Sequence, residues 1–590
     1  MRLYQWLSAT MASSMVFVLP MRTRGSLSKC FPKFDNCFQR KLGINTAASR
    51  TDRLIKKDEV EPKNGRKTFY TVEEERIEQA QRSVLISCPA KTNEKKFLKY
   101  LSRHGDINKY FFYESYGMYA VVEFVHKESL TSLLNGTAIP CINHEATMPF
   151  KSRLLSLRNT GSVDQSAPQC QSQTTIPIND LIQRLSNENS IDHQITSLTE
   201  MYQLTEENVC LRYLVCSLLK DIAAAYFPEC KIRPFGSSVN GFGKLGCDLD
   251  MFLDLDDISG RNVKKPKAGL SLEYQTKRAA SERAATQSIL SVIGECVDQF
   301  GPGCVGVQKI LQARCPLVRF AHQPSGFQCD LTANNRVAMK SSELLYLYGE
   351  LDHRVRCLVF SVRCWARAHS ITSSIPGAWI TNFSLTVMVL FFLQRRTVPI
   401  LPTLDHLKDL AGPLDKCVIE GNDCTFVSDF TKIPLRDNTE TLEQLLQEFF
   451  EFYGTFAFSR MSINIRKGRE QSKSEVSPLN IQNPFDAALN VSKNVNGTQL
   501  ERFVGLCRES AWMLQQREFN VPHSQTRAAT RDRAPWGLAA LLLPSVSQAA
   551  GVKVRKNRKR EPASERIKSL LESLKNRDDK TTGNGTGGNS

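Results

Sequence analysis

Long apolar runs are scarce in these 590 residues. None reaches the ~20 residues a membrane-spanning helix needs. The best stretch, Ala378 to Leu393, holds Thr381, Asn382, Ser384 and Thr386 and reads as a buried core helix, so no membrane insertion is expected. Cys-x-x-Cys pairs are missing too. The 18 cysteines are scattered through core-like positions such as Cys247, Cys329, Cys357 and Cys364, with no Cys/His cluster, which argues against structural zinc and against a disulfide scaffold. Acidic residues are nearly absent from the first fifty positions. Asp35 stands alone there against eight Lys or Arg and nine Ser or Thr, the composition of a mitochondrial transit peptide. A secretory signal fits less well, because the apolar run Met15 to Pro20 is short and Arg22 and Arg24 follow it.

What is present is positive charge. Seventy-seven Lys and Arg against sixty Asp and Glu leave a formal +17, which suits a polyanionic partner such as RNA. The length allows three or four domains.

The densest chemical signal is FGSSVNGFGKLGCDLD, Phe235 to Asp250. Asp248 to Leu253 reads as a strand, so Asp248 and Asp250 project from one face and can share divalent cations. Oxygen ligands suit Mg2+ or Mn2+. Gly236 permits a tight turn in which Ser237 meets a triphosphate, with a helix expected over Ser238 to Gly241. Asp254 falls about 13 Å beyond Asp250 along an extended strand, too far for metals ~3.5–4 Å apart. An exposed acidic strand end is the alternative reading. A third carboxylate, Asp330, lies in GFQCDLTANN, where Phe327, Cys329 and Leu331 face the other way. Pro316 to His322 reads as the partner strand, and Pro324, Ser325 and Gly326 as the hairpin turn.

Phe235, Gly236, Ser237, Asp248 and Asp250 match, in order, the signature of the DNA polymerase beta-like nucleotidyltransferases. LLQEFFEFYG and NPFDAALNVS further on resemble the poly(A) polymerase-associated domain of the terminal RNA nucleotidyltransferases. The resemblance spans roughly Thr175 to Gln516. It implies an α+β fold, a nucleotidyltransferase (palm) domain plus a mostly helical second domain, with nucleotide in the cleft between them. Asp248 and Asp250 would ligate both metals and Asp330 the catalytic one. Ser237 would contact the distal phosphates, Ser341 and Ser342 the ribose, and Asn382 and Phe383 the base. Arg363 and Arg367, four apart on one helix face, stand where the family carries two phosphate-gripping lysines; a solvated basic stripe is the alternative. Uridylyl-adding relatives carry His where this chain has Leu489, which favours ATP over UTP, while Asp486 remains. The expected reaction is template-independent adenylate addition to RNA 3′ ends, with a terminal uridylyltransferase and an inactive RNA-binding scaffold as rivals.

From Arg82 to Phe150 the order strand, helix, strand, strand, helix, strand resembles an RNA-recognition motif. Val121 replaces an expected stacking aromatic, so dimer formation is favoured over RNA binding. The expected organisation is transit peptide 1–45, αβ domain 80–155, linker 156–174, palm 175–340, helical domain 341–520 and a basic flexible tail 521–590. That tail carries KVRKNRKR, Lys553 to Arg560, ahead of an amphipathic helix on Ile567, Leu570, Leu571 and Leu574.

Overall fold

The computed structural model describes residues 66–139, 151–158, 168–255, 279–333, 335–373, 375, 377–473, 475–516 and 534–544. The expected transit peptide 1–45, the Lys- and Gly-rich stretch Gly260 to Ser271 whose composition suggests a loop, the Lys553 to Arg560 run and the amphipathic helix expected after it lie outside these residues.

The first layer is α1 (Phe69–Gln81), β1 (Ser83–Cys88), α2 (Glu94–Leu101), β2 (Ile107–Glu114), β3 (Met118–Phe124), α3 (Lys127–Gly136), β4 (Leu154–Ser156) and β5 (Cys170–Gln171). They form a sheet of order β4-β1-β3-β2-β5. The strand pattern agrees with the sequence reading through β3, but β4 pairs parallel to β1. In an uninterrupted unit it would return parallel to β3, hence antiparallel to β1. The stretch read as linker also contributes β5, parallel to β2.

Period-two alternation gives this sheet two apolar faces. Val84, Ile86, Phe112, Ala120 and Val122 meet Phe97, Leu101, Leu130 and Leu133 of α2 and α3. Leu85, Phe111, Tyr113 and Val121, on the opposite face, join the core of the next domain. The Tyr113 hydroxyl donates to Pro324 O at 2.7 Å, and Ser115 Oγ to Gln323 O at 2.8 Å. Arg153 is buried and donates to Asp221, Ser217 and Ala80 O.

Next come α4 (Ile178–Ser186), α5 (Ile191–Tyr202), α6 (Glu206–Ala223), β6 (Lys231–Pro234), β7 (Leu249–Asp254), α7 (Glu282–Phe300), β8 (Cys304–Ile310), β9 (Leu317–His322) and β10 (Phe327–Ala333). The second sheet has order β6-β7-β10-β9-β8, with only β7 and β10 parallel. The helix α6 packs beneath it. The helices α4 and α5 send Leu181, Leu185, Ile195 and Leu198 into the helical body.

That body contains α8 (Arg336–Leu351), α9 (His353–Ala368), α10 (Asn382–Gln394), α11 (Leu404–Asp409), α12 (Leu442–Thr455), α13 (Gly497–Gln515) and α14 (Gly537–Leu541). Helix starts are set locally. Ser190, Thr205, Ser281, Thr381, Thr403 and Thr441 each accept the N–H of the residue three further on, satisfying a donor the helix cannot. The helix α10 is buried from Ser384 to Gln394, as its apolar run requires. Among the described residues no helix is long and apolar enough to cross a membrane. The α14 segment is a strap across α4 and α5. Trp536 Nε1 donates to Ser186 O, Gln194 Nε2 donates to Trp536 O, and His369 Nε2 lies 2.8 Å from Leu541 O.

Candidate active site

The Gly236–Ser238 turn and the carboxylate strand β7 are built against each other. Gly236 has φ +64, open to glycine, and a Cβ there would stand 3.2 Å from Asp250 Oδ2. Glycine therefore lets the turn approach the carboxylate. Gly236 N donates to Ser342 Oγ at 2.8 Å, tying the turn to α8. The expected Ser238 to Gly241 helix is instead one 3-10 turn, Gly236–Ser238. Gly241 has φ +79, and Asn240 Oδ1 accepts from Phe242 N, so the chain bends away.

Asp248 immediately precedes β7, and Asp250 lies two residues on, within it. On the parallel neighbour β10, Asp330 is the register partner of Asp250. Three carboxylates thus lie on or beside two adjacent interior strands. Burial, then Asp330 and Asp248, push the Asp250 carboxyl up to about 7. Burial and Asp330 also raise Asp248. Mutual repulsion of this kind is what divalent cations relieve, and all the donors are hard oxygens. The donor set therefore fits Mg2+ or Mn2+ in kind. Among the described residues, however, no three acidic, imidazole or thiol groups stand already converged as a cage. Asp330 gives both oxygens to Arg319, which donates from Nε at 2.8 Å and Nη2 at 2.6 Å. A cation taking Asp330 must displace or share that fork. Asp254 points elsewhere, 3.5 Å from both Arg233 and Arg336.

A cleft of about 930 Å3 opens beside Asp250, the one of the three carboxylates that lines it, with Phe235, Gly236, Ser237, Ser341, Ser342, Arg363, Arg367, Asn382, Phe383, Asp486 and Leu489. Every nucleotide-contact candidate from the sequence lies on this wall. The two arginines differ in freedom. Arg363 Nη1 donates to Phe242 O at 2.7 Å and Nε to Asn382 O at 3.2 Å, and Nη2 bonds Thr386 Oγ1. Burial lowers it to about 10, so it stays charged at neutral pH. Arg367 is exposed to the cleft. Lys244, which the sequence reading passed over, also lines it. Burial and Arg367 lower its pKa. Its only signal was position, four residues ahead of Asp248.

Across the cleft, Asn483 Oδ1 accepts from Phe485 N and Asp486 N, and Asn483 N donates to Leu489 O. Phe485 stacks on Phe426 at 6.0 Å. The Asp486 to Leu489 loop is thereby held rigid facing the nucleotide space.

Three sequence profiles match the chain: "Poly(A) RNA polymerase, mitochondrial-like, central palm domain" over residues 191–350, "RL domain" over 68–138, and "Cid1 family poly A polymerase" over 441–489. The mitochondrial poly(A) RNA polymerase of Mus musculus is 59% identical across 90% of this chain and 91% of its own length. The chain belongs to the mitochondrial poly(A) RNA polymerase family. The Homo sapiens member is 60% identical over 87% of each chain. Among solved poly(A) polymerases of this family, mtPAP in complex with ATPγS superposes with a TM-score of 0.76 at 55% identity, covering 81% of this chain and all of that one. The family's RL domain coincides with the first αβ layer, and its palm with the sheet carrying the carboxylates.

Proposed function

We propose that this chain is a template-independent polynucleotide adenylyltransferase that lengthens the 3′ ends of mitochondrial RNAs from ATP. The observation that carries the reading is a cleft lined by the Gly236–Ser237 turn, Asp250, Phe383 and the Asp486 to Leu489 loop, with Asp330 the register partner of Asp250 on the adjacent strand. Its family supports it.

Asp248, Asp250 and Asp330 would hold two Mg2+ or Mn2+ ions, which when bound lower the pKa of the attacking hydroxyl and offset charge on the leaving pyrophosphate. The chain's own residues supply placement. Ser237 and the turn amides face the distal phosphates, while Lys244 and Arg367 lend charge and Arg363 braces the α9–α10 corner that presents Asn382 and Phe383. The RNA 3′ oxygen attacks the α-phosphorus of ATP, forming the new phosphodiester as pyrophosphate departs. Phe383 offers a stacking face that accepts any base. The relative mtPAP has been crystallised with UTP, GTP and CTP as well as ATPγS, so in that protein occupancy alone does not choose the base. We assign ATP preference to the Leu489 loop.

The transit-peptide composition supports action in the mitochondrial matrix. A homodimer through the RL layer is also part of this reading. Its helix-free sheet face, where an RNA-recognition motif stacks bases, is covered by the palm, and this favours protein contact over RNA binding there.

The test is extension of a short single-stranded RNA with each nucleoside triphosphate separately, comparing wild type with Asp248→Ala. ATP-dependent extension that is lost in the variant supports the reading. A preference for UTP would overturn the base assignment, and no extension with any nucleotide would favour the scaffold.

A further inference from the structure

Arg212, in the middle of α6, is completely buried and forms no ion pair among the described residues. Burying a charge without a countercharge costs several kcal/mol unless its hydrogen bonds are met, so its partners reveal why the fold keeps it. Arg212 Nη1 donates to Ser238 Oγ at 2.8 Å and to Asp248 O at 2.9 Å. Nη2 donates to Cys247 O at 2.7 Å, and Nε to Asn208 Oδ1 at 2.8 Å. Its Cζ lies over the Phe327 ring, 4.6 Å from the ring centroid, three residues before Asp330 on β10. One guanidinium thus touches the phosphate turn, the lead-in to the metal strand and the strand of the third carboxylate.

We propose that Arg212 is a positioning residue that couples the phosphate turn to the metal-binding strand, so that nucleotide and metal sites form together. Among the described residues no other side chain hydrogen-bonds both to Ser238 and to the Cys247 and Asp248 carbonyls. The turn has no regular secondary structure to hold it beyond three residues, and Asp248 lies just outside the sheet ladder. Beyond the backbone bond from Phe235 N to Asp250 O and the bond from Gly236 N to Ser342 Oγ, the far end of the turn at Ser238 and the carbonyls of Cys247 and Asp248 are bonded by the same side chain, that of Arg212. A planar fork with fixed donor directions sets the turn-to-strand spacing in a way a lysine cannot. The proposal rests on the metal and nucleotide reading above.

The test uses the full chain and three variants: Arg212→Met, which keeps bulk and removes donors; Arg212→Lys, which keeps charge; and Asn208→Ala, which frees the guanidinium without removing it. Three quantities are measured: the thermal midpoint, Mn2+ binding without nucleotide from the electron paramagnetic resonance signal of free Mn2+, and ATP binding in EDTA by calorimetry. Arg212→Met is expected to weaken both affinities by about tenfold or more, the scale of one lost buried bond to a charged group. Arg212→Lys recovers part of both, and Asn208→Ala weakens both several-fold. A folded Arg212→Met protein that binds Mn2+ and ATP within twofold of wild type, or loses one affinity alone, would refute the coupling, leaving a purely structural arginine that moves only the midpoint. If Arg212→Met does not fold, Asn208→Ala decides by the same criteria. Wild-type protein that binds neither probe would instead sink the site reading, and the proposal with it.

Discussion

Arg363 and Lys244 line the same cleft, yet their surroundings call for opposite responses to neutralisation. Arg363→Met removes donors from Phe242 O, Asn382 O and Thr386 Oγ1. At about 1.5 kcal/mol each, the low end for a charged donor, the three bonds sum to about 4.5 kcal/mol, and water entering from the cleft is expected to halve this. A loss of about 2 kcal/mol lowers the thermal midpoint by about 4–8 °C in a domain of this size. Lys244→Met removes a cation that burial and Arg367 already disfavour, so the midpoint is expected to hold or rise. Its cost falls on nucleotide use, where losing one half-buried cation–phosphate contact of about 1.4 kcal/mol raises KM for ATP about tenfold. Thermal denaturation of the metal-free proteins gives the first quantity, and initial extension rates against ATP concentration give the second. The reasoning fails if Arg363→Met keeps its midpoint while KM for ATP rises about tenfold, or if Lys244→Met melts early with KM unchanged.

In EDTA, the Asp250 carboxyl keeps its proton to about pH 7 in the folded chain but only to about pH 4 when unfolded. The native state therefore binds more protons between those values, and this group's contribution to stability falls as pH rises through the window. Asp250→Asn is expected to gain stability over wild type at pH 8 relative to pH 5 in urea titrations; an equal difference at both pH values counts against it. Tyr113→Ala removes a fully buried ring and the hydroxyl bonded to Pro324 O, and is expected to cost about 3–5 kcal/mol and loosen the β9–β10 turn, detectable as faster amide exchange at residues 322–326. Unchanged exchange there would separate the RL sheet from the palm. Trp536→Ala opens the strap for a similar about 3–5 kcal/mol, read by denaturant midpoint. A shift under 1 kcal/mol would mean the strap adds little.

The parts of the site written in short-range pattern were legible without coordinates. Asp248 and Asp250 sit two apart among Leu249, Met251 and Leu253, and Asp330 sits among Phe327, Cys329 and Leu331, so parity alone puts each on the polar face. The hairpin between β9 and β10 announced itself through Pro324 and Gly326. Arg212 did not, because within EENVCLRYLVCSLL a single arginine looks like a helix's wet side, and every partner except Asn208 is at least 26 positions away. The direction of β4 was equally hidden, since strand polarity depends on the route of the intervening chain. The tail 521–590 reads as basic and flexible, yet Gly537–Leu541 is a buried helix, because no local rule says which helices a short apolar stretch will cover. The 3-10 turn was mistaken for a helix because Ser-Ser after glycine starts either, and only the left-handed Gly241 decides between them.

The strap has a consequence for the order of events in folding. The bond between Gln194 and Trp536 joins residues 342 positions apart, and Ser186 O waits 350 positions for its donor. Loop closure over such lengths is slow and comes late. Until the strap residues emerge from whatever machine is making or importing the chain, Leu185, Ile195 and Trp365 line an open seam. A frameshift just before position 534 is therefore expected to leave an aggregation-prone protein even though every carboxylate of the site has already been translated.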